Sequence, residues 1–180
     1  MPRSRRTGRE REDDEGTQTM PRTAQHAYRT HVAWTGNTGS GTGTYRAYGR
    51  DHEVTAEGPP PLPGTADPAF RGTTDRWNPE QLLLASLAQC HMLSYLALCA
   101  LGGVVVTAYE DTADGTMTED GAGGGRFTEV VLRPRVEVAS AQMRERALAL
   151  HGTAHEKCFI ANSVSFPVLH EPVVTAPQES

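Results

Sequence analysis

Residues 78–101 read NPEQLLLASLAQCHMLSYLALCAL, and the reading of that stretch decides the fold. From Leu82 to Leu101 it carries no Asp, Glu, Lys or Arg. As a helix, that run would rise about 30 Å, the thickness of a bilayer's hydrocarbon. Asn78 is a good N-cap, Pro79 suits the first helical position, and Glu80 is favoured in the first turn. Gly102 and Gly103 stop the helix. Three readings compete: a membrane span, an inert core helix, or a helix that presents a reactive thiol.

Ser86, Gln89, His91 and Ser94 are costly in lipid, and the flanking segments read as a soluble α+β domain, so the span is set aside. An inert core helix suits Cys99, because free cysteine commonly packs as a small hydrophobe beside neighbours such as Tyr95 and Leu96. Cys90 lies about half a turn of azimuth from Cys99 and sits differently. Ser86, Cys90 and Ser94 fall at i−4, i and i+4 and form a narrow polar stripe on an apolar helix. Such a stripe needs partners, either another backbone or the contents of a site. By spacing alone the structural reading of Cys90 is the better one, because buried cysteines are common. A helix middle gives a thiolate no dipole help, so a reactive Cys90 requires a cation from elsewhere. Arg71 and Arg76 lie just upstream.

Outward from the helix, alternation in AYRTHVAW and TYRAYGRDHEV predicts two strands of a hairpin, joined by the turn-rich TGNTGSGTG. EGPPPLPGTADP reads as a rigid connector. Downstream, VVVTAYEDT and RFTEVVLRPRVEVA read as a second hairpin around the glycine-rich DGTMTEDGAGGG. SAQMRERALALHGTAHEKC is helical in its first part, with Ser140 as N-cap. SVSFPVLHEPVVTA reads as a closing strand whose prolines favour a sheet edge. The order ββ–α–ββ–α–β predicts an α+β fold around a long buried central helix.

The chain has 180 residues, enough for one domain and a tail. A net charge of −5 gives no electrostatic footprint for nucleic acid. Residues 3–15 hold ten charges in thirteen positions, a basic block running into an acidic one. Residues 1–25 are therefore expected to be a disordered tail before a domain at 26–180. MPRT at Met20 echoes MPRS at Met1 and marks an alternative start. The three cysteines, Cys90, Cys99 and Cys158, are too few and too widely spaced for a secreted disulfide framework. The N-terminus shows no apolar segment of secretory type. A reducing cytoplasm with free thiols is the expectation. His151, His155 and Cys158, spaced H-x3-H-x2-C, share a helical face on which zinc is conceivable, without an obvious fourth ligand.

NPEQLLLASLAQCHMLSYLALCA and, further on, AHEKCFIANSVSFPV (154–168) together resemble the OsmC/Ohr family of thiol-dependent peroxidases. The resemblance runs from about residue 27 to 175 and rests on N-P-E-x-L, a cysteine ten residues after its glutamate, and a second cysteine in A-H-x-x-C. It implies an intertwined homodimer with active sites at the subunit interface. It implies Cys90 as the peroxidatic thiol and Cys158 as the resolving thiol, accompanied by Glu80 and an arginine. Arg71 matches the OsmC branch best, with Arg76 as a spare; the Ohr branch would point to Arg46 or Arg50. In one straight helix Glu80 and Cys90 stand about 15 Å apart. They share a site only if the helix breaks or the glutamate comes from another subunit. Phe159 departs from the proline that follows this cysteine in the best-known members, which leaves substrate preference and reductant open.

The resemblance implies reduction of organic hydroperoxides without a cofactor, and re-reduction by an external dithiol, of lipoyl type in the Ohr branch. Leu83, Leu87, Phe159 and Phe166 would make the setting apolar. The alternative is a non-catalytic OsmC-like dimer that binds a small ligand, or zinc through His151, His155 and Cys158.

Overall fold

The computed structural model describes residues 24–177. Of the expected tail at 1–25, all but Ala24 and Gln25 lies outside the described residues. The chain is α+β: strands β1 (His31–Trp34), β2 (His52–Thr55) and β3 (Leu62–Gly64), helix α1 (Pro79–Leu101), strands β4 (Val106–Glu119) and β5 (Gly125–Val138), helix α2 (Arg144–Lys157), then β6 (Val168–His170) and β7 (Val173–Thr175).

The ends of α1 follow from local chemistry. The Asn78 side chain accepts from the Gln81 N–H at 2.8 Å, and the Gln81 side chain accepts from the Asn78 N–H at 3.2 Å. This reciprocal capping box satisfies two otherwise orphaned donors. At the other end Gly103 takes φ +70°, a conformation glycine adopts without penalty. Val104 N–H then donates to Cys99 C=O at 2.9 Å and Gly103 N–H to Ala100 C=O at 3.3 Å, a Schellman closure.

The two sheets differ in support. β1, β2 and β3 form a small antiparallel sheet. It makes no substantial packing against either helix or the other sheet. Val32 and Trp34 stay exposed on it. The second sheet is built on β5, which pairs antiparallel with β4 on one edge and parallel with β6 and β7 on the other. Val168 faces Val130 and Val174 faces Val136, so β6 and β7 keep one register. They are one strand interrupted at Glu171 and Pro172, because proline has no N–H for the ladder.

α1 packs on β4 and α2, and α2 on β7. One apolar cluster gathers Tyr95, Cys99, Val104, Val136, Val138, Ala147, Ala154 and Val174. A second gathers Leu87, Val130, Leu132 and Val168.

Several expectations need correction. The proline-rich connector contains β3. The second strand is shorter than expected, because Tyr45–Asp51 is a loop closed on itself: Trp34 Nε1 donates to Gly49 C=O at 2.8 Å, and the Arg50 guanidinium lies 4.0 Å from the Tyr48 ring centroid. DGTMTE belongs to β4, so the glycine-rich tip shrinks to the turn around Asp120–Gly124. α2 continues through Lys157, and Ser140 precedes a short 3-10 turn without a side-chain cap. The central helix is buried along one stripe only, Leu87, His91, Tyr95 and Cys99. Its opposite face, including Leu93 at 63% exposure, is uncovered in the single chain. By length and composition α1 could cross a membrane, but here that stripe packs against protein and carries a hydrogen-bonded histidine.

Candidate active site

The uncovered face of α1 is one wall of a groove of ≈ 870 Å³. Ser86, Cys90 and Ser94 line it, so the polar stripe read from the sequence does face a space. Its apolar lining comes from Leu82, Ala85, Leu93, Phe159 and Ile160, with Tyr28 contributed from the N-terminal segment. This corrects the expected apolar setting. Leu83, Leu87 and Phe166 belong to the core cluster, and only Phe159 reaches the groove.

Cys90 is half-buried at the middle of α1, and Cys158 is 1% exposed at the end of α2. Cys158 caps the helix with φ −71° and ψ 110°, which turns the following chain off the helical path. Cys90 is among the close neighbours of the Cys158 thiol. The Ala161 N–H donates to Cys158 Sγ at 3.4 Å. Burial first, and then the neighbouring Cys90, push the Cys158 thiol up to about 11. At neutral pH Cys158 keeps its proton, so the pair is asymmetric: one thiol buried and protonated, the other open to the groove. Neither sulfur is in a disulfide.

Glu80 stands in the first turn of α1, and one carboxylate oxygen, Oε2, is buried without a hydrogen-bond partner. α1 runs unbroken from Pro79 to Leu101, so Glu80 remains about 15 Å along the helix from Cys90. Arg71 is exposed, with φ +69°, at the end of a short 3-10 turn. It does not line the groove, and its guanidinium makes no hydrogen bond or ion pair with the described residues. Arg76 pairs with Asp51 at 3.7 Å. Arg50 is held by the Tyr45 and Tyr48 carbonyls and lies over both rings. Arg46 is exposed. The single chain thus joins Cys90 and Cys158 and keeps Glu80 and Arg71 apart from them.

The zinc face does not form. His151 is wholly buried, with Nδ1 3.0 Å from His91 Nε2 and its ring stacked on Tyr95 at 3.8 Å, while Cys158 turns to Cys90. Among the described residues no three His, Cys, Asp or Glu side chains are placed to hold a metal. Cys99 is buried, and burial pushes its thiol up, as its inert reading anticipates.

Sequence reasoning takes His151 only as a zinc candidate and does not reach its partners in the core. His91 follows Cys90 in sequence but faces the core, where it meets His151 and His170. The signal was the period-four stripe Leu87, His91, Tyr95, Cys99, which puts an imidazole between core positions. Burial, followed by the neighbouring histidines, lowers His91 to about 4 and His151 to about 3, so both are neutral at pH 7.

A family model described as OsmC-like protein matches residues 72–171. Among solved structures, an OsmC-like protein of unknown function from Vibrio cholerae is 30% identical at a TM-score of 0.74, over 83% of this chain and 100% of that one. An organic hydroperoxide resistance protein from Elizabethkingia anophelis, with thiocyanate bound, matches at 16% identity and a TM-score of 0.63, over 87% and 100% of the two chains. A Vibrio cholerae protein named for organic hydroperoxide resistance, with captopril bound in one of its active sites, matches at 21% and 0.58, over 85% and 95%. These last two share the fold. No curated protein matches the chain.

Proposed function

We propose, from the premise that the chain belongs to the OsmC-like family, that it is a thiol peroxidase reducing organic hydroperoxides through Cys90 and Cys158. The observation that carries this reading is the asymmetric thiol pair: a half-exposed Cys90 in a largely apolar groove, backed by a buried, protonated Cys158. The hydroperoxide-resistance names of two structural relatives support the substrate class.

The chemistry follows from thiol reactivity. The Cys90 thiolate attacks the distal oxygen of ROOH. The O–O bond breaks, the alkoxide takes a proton and leaves as ROH, and Cys90 becomes a sulfenic acid. Cys158 attacks that sulfur, its proton departs with the hydroxyl as water, and the Cys90–Cys158 disulfide forms. An external dithiol then exchanges twice, restoring both thiols and leaving as its own disulfide. A reducing cytoplasm is the compartment that keeps such a cycle running.

Two further assignments belong to this reading. A second copy covers the groove face, giving the intertwined homodimer. The exposed Leu93, Phe159 and Tyr28 and the unsupported β1–β3 sheet favour it. Across that interface Glu80 and Arg71 complete the site, the carboxylate holding the guanidinium beside the Cys90 thiolate. The orphaned Glu80 Oε2 is the feature that favours this placement.

The test is mass spectrometry of the reduced full chain after one equivalent of cumene hydroperoxide, beside Cys90→Ser. A rapid Cys90–Cys158 disulfide, absent from the variant, is expected. Thiols left unchanged would refute the peroxidase and return the protein to a ligand-binding role.

A further inference from the structure

A polar layer divides the core. Along the buried stripe of α1, His91 stands between Leu87 of one apolar cluster and Tyr95 of the other. From α2, His151 enters the slot between His91 and Tyr95. Its ring is within 9° of parallel to His91 and 12° to Tyr95. His91 Nε2 and His151 Nδ1 share a hydrogen bond of 3.0 Å. His170 on β6 stacks at 5.2 Å on His155 of α2 and lies 5.6 Å from His91.

This arrangement is costly. His91 Nδ1 and His151 Nε2 are buried without partners, and each orphan carries a desolvation penalty that an apolar pair would avoid. The donors do not converge on a metal position. What an imidazole pair supplies and a leucine pair does not is direction: one hydrogen bond between two flat rings fixes distance, tilt and register together.

The register matters because the same two helices carry the thiols. Cys90 immediately precedes His91 on α1, and Cys158 ends α2 beyond His151. A disulfide needs its Cα atoms within a window of roughly 2 Å, and sliding one helix by one or two residues shifts it about 1.5–3 Å. We propose that the His91–His151 pair is a positioning clamp that locks α1 against α2 in the register at which Cys158 reaches Cys90. The proposal rests on the reading of those cysteines as a redox pair, not on the identity of the oxidant.

The clamp works with neutral rings, one nitrogen donating and the other accepting. The groups facing it are His155 from α2, His170 from β6 and Tyr95 from α1, with Tyr109 of β4 packed on Tyr95. No carboxylate is paired with any of the four histidines among the described residues. A protonated imidazole would find no anion there, so protonation breaks the clamp instead of strengthening it.

The test uses amide substitutions that keep or misplace one atom. Gln at 91 reproduces the Nε2 position and Asn at 151 the Nδ1 position; His91→Asn and His151→Gln move the amide away. The reduced full chain is mixed at pH 7 with excess glutathione disulfide, and mass spectrometry follows the mixed disulfide on Cys90 as it forms and disappears. Cys158 displaces glutathione thiol in one exchange, and the first-order closure rate is read. His91→Gln and His151→Asn are expected within about threefold of wild type, and the misplaced pair about tenfold slower or more. Modification of Cys90 by a neutral alkylating reagent should be unchanged in all four, which general loosening would not permit. Misplaced variants that close at the wild-type rate, or atom-keeping variants as slow as misplaced ones, overturn the clamp. Where a misplaced variant does not fold, the H91Q/H151N double variant decides, near-wild-type closure supporting the clamp and slow closure overturning it. A wild type that ignores cumene hydroperoxide yet closes with glutathione refutes only the peroxidase. A wild type that closes with neither refutes the paired thiols and the clamp with them.

Discussion

The buried histidines make stability depend on pH in a direction that can be worked out. His91 and His151 are neutral in the folded chain, lowered to about 4 and about 3, and return toward the ordinary value of 6.5 on unfolding. Between these limits the unfolded chain binds two protons that the folded chain refuses. Lowering pH therefore favours unfolding, with a slope of about 2.7 kcal/mol per pH unit for two groups. The loss begins near pH 6.5 and grows down to about pH 4, where His91 starts to titrate in place. Integrated from neutral pH to about pH 4.5, the pair removes about 5 kcal/mol, the size of a marginal domain's whole stability. His170, also lowered by burial, adds in the same direction. Asp111, raised by burial, works the other way, because the folded form takes its proton first. Urea unfolding followed by far-UV circular dichroism at half-unit steps from pH 7.5 to 4.5 measures the slope. The H91Q/H151N double variant should lose most of it. A wild-type stability flat across this range, or a slope the double variant retains, would refute the account of the polar layer.

Three further outcomes are expected. Alkylation of the reduced protein at pH 7, mapped by peptide mass, should label Cys90 first, with Cys158 and Cys99 far slower because burial holds both protonated; labelling Cys158 first would reverse the assigned roles. Asn78→Ala removes one half of the α1 capping box and should cost about 1 kcal/mol in urea unfolding, while Gln81→Ala should cost less. Arg71→Gln should slow peroxide-driven disulfide formation and raise the pH midpoint of Cys90 alkylation without changing the far-UV spectrum; an unshifted midpoint would return the search to Arg46.

What could be read in advance follows where the physics is local. The α1 boundaries were legible because Asn78, Pro79, Gly102 and Gly103 act on their own neighbours. Cys90 and Cys158 were paired through resemblance; in the structure Cys90 is one of the neighbours that raise the Cys158 thiol. β3 was hidden because Leu62–Gly64 sits among prolines, and only its register with His52–Val54 makes it a strand. The split of the last strand was half legible: Pro172 signals an edge, but its position across from Pro134 depends on pairing with β5. The histidine layer was invisible because its partners come from α1, α2 and β6, far apart in sequence, and each histidine alone looks like an ordinary helix or strand residue.

The uncharged run that first resembles a membrane span has a soluble explanation with two parts. Its Leu87–Cys99 stripe needs apolar character because it faces the protein's own core. Its other face, Leu82, Ala85, Leu93 and the Ser86–Cys90–Ser94 stripe, needs it for another reason: it walls the groove and, on the reading proposed here, meets both a hydroperoxide and a second copy of the chain. A helix used on both faces loses the polar side that marks an amphipathic surface helix, so hydropathy alone cannot separate it from a span. The separation comes from the polar atoms that remain. His91 turns into the core and is bonded to His151, and Ser86, Gln89, Cys90 and Ser94 line the groove, so the polar groups at the middle of the run meet protein or an open groove where a span would meet lipid.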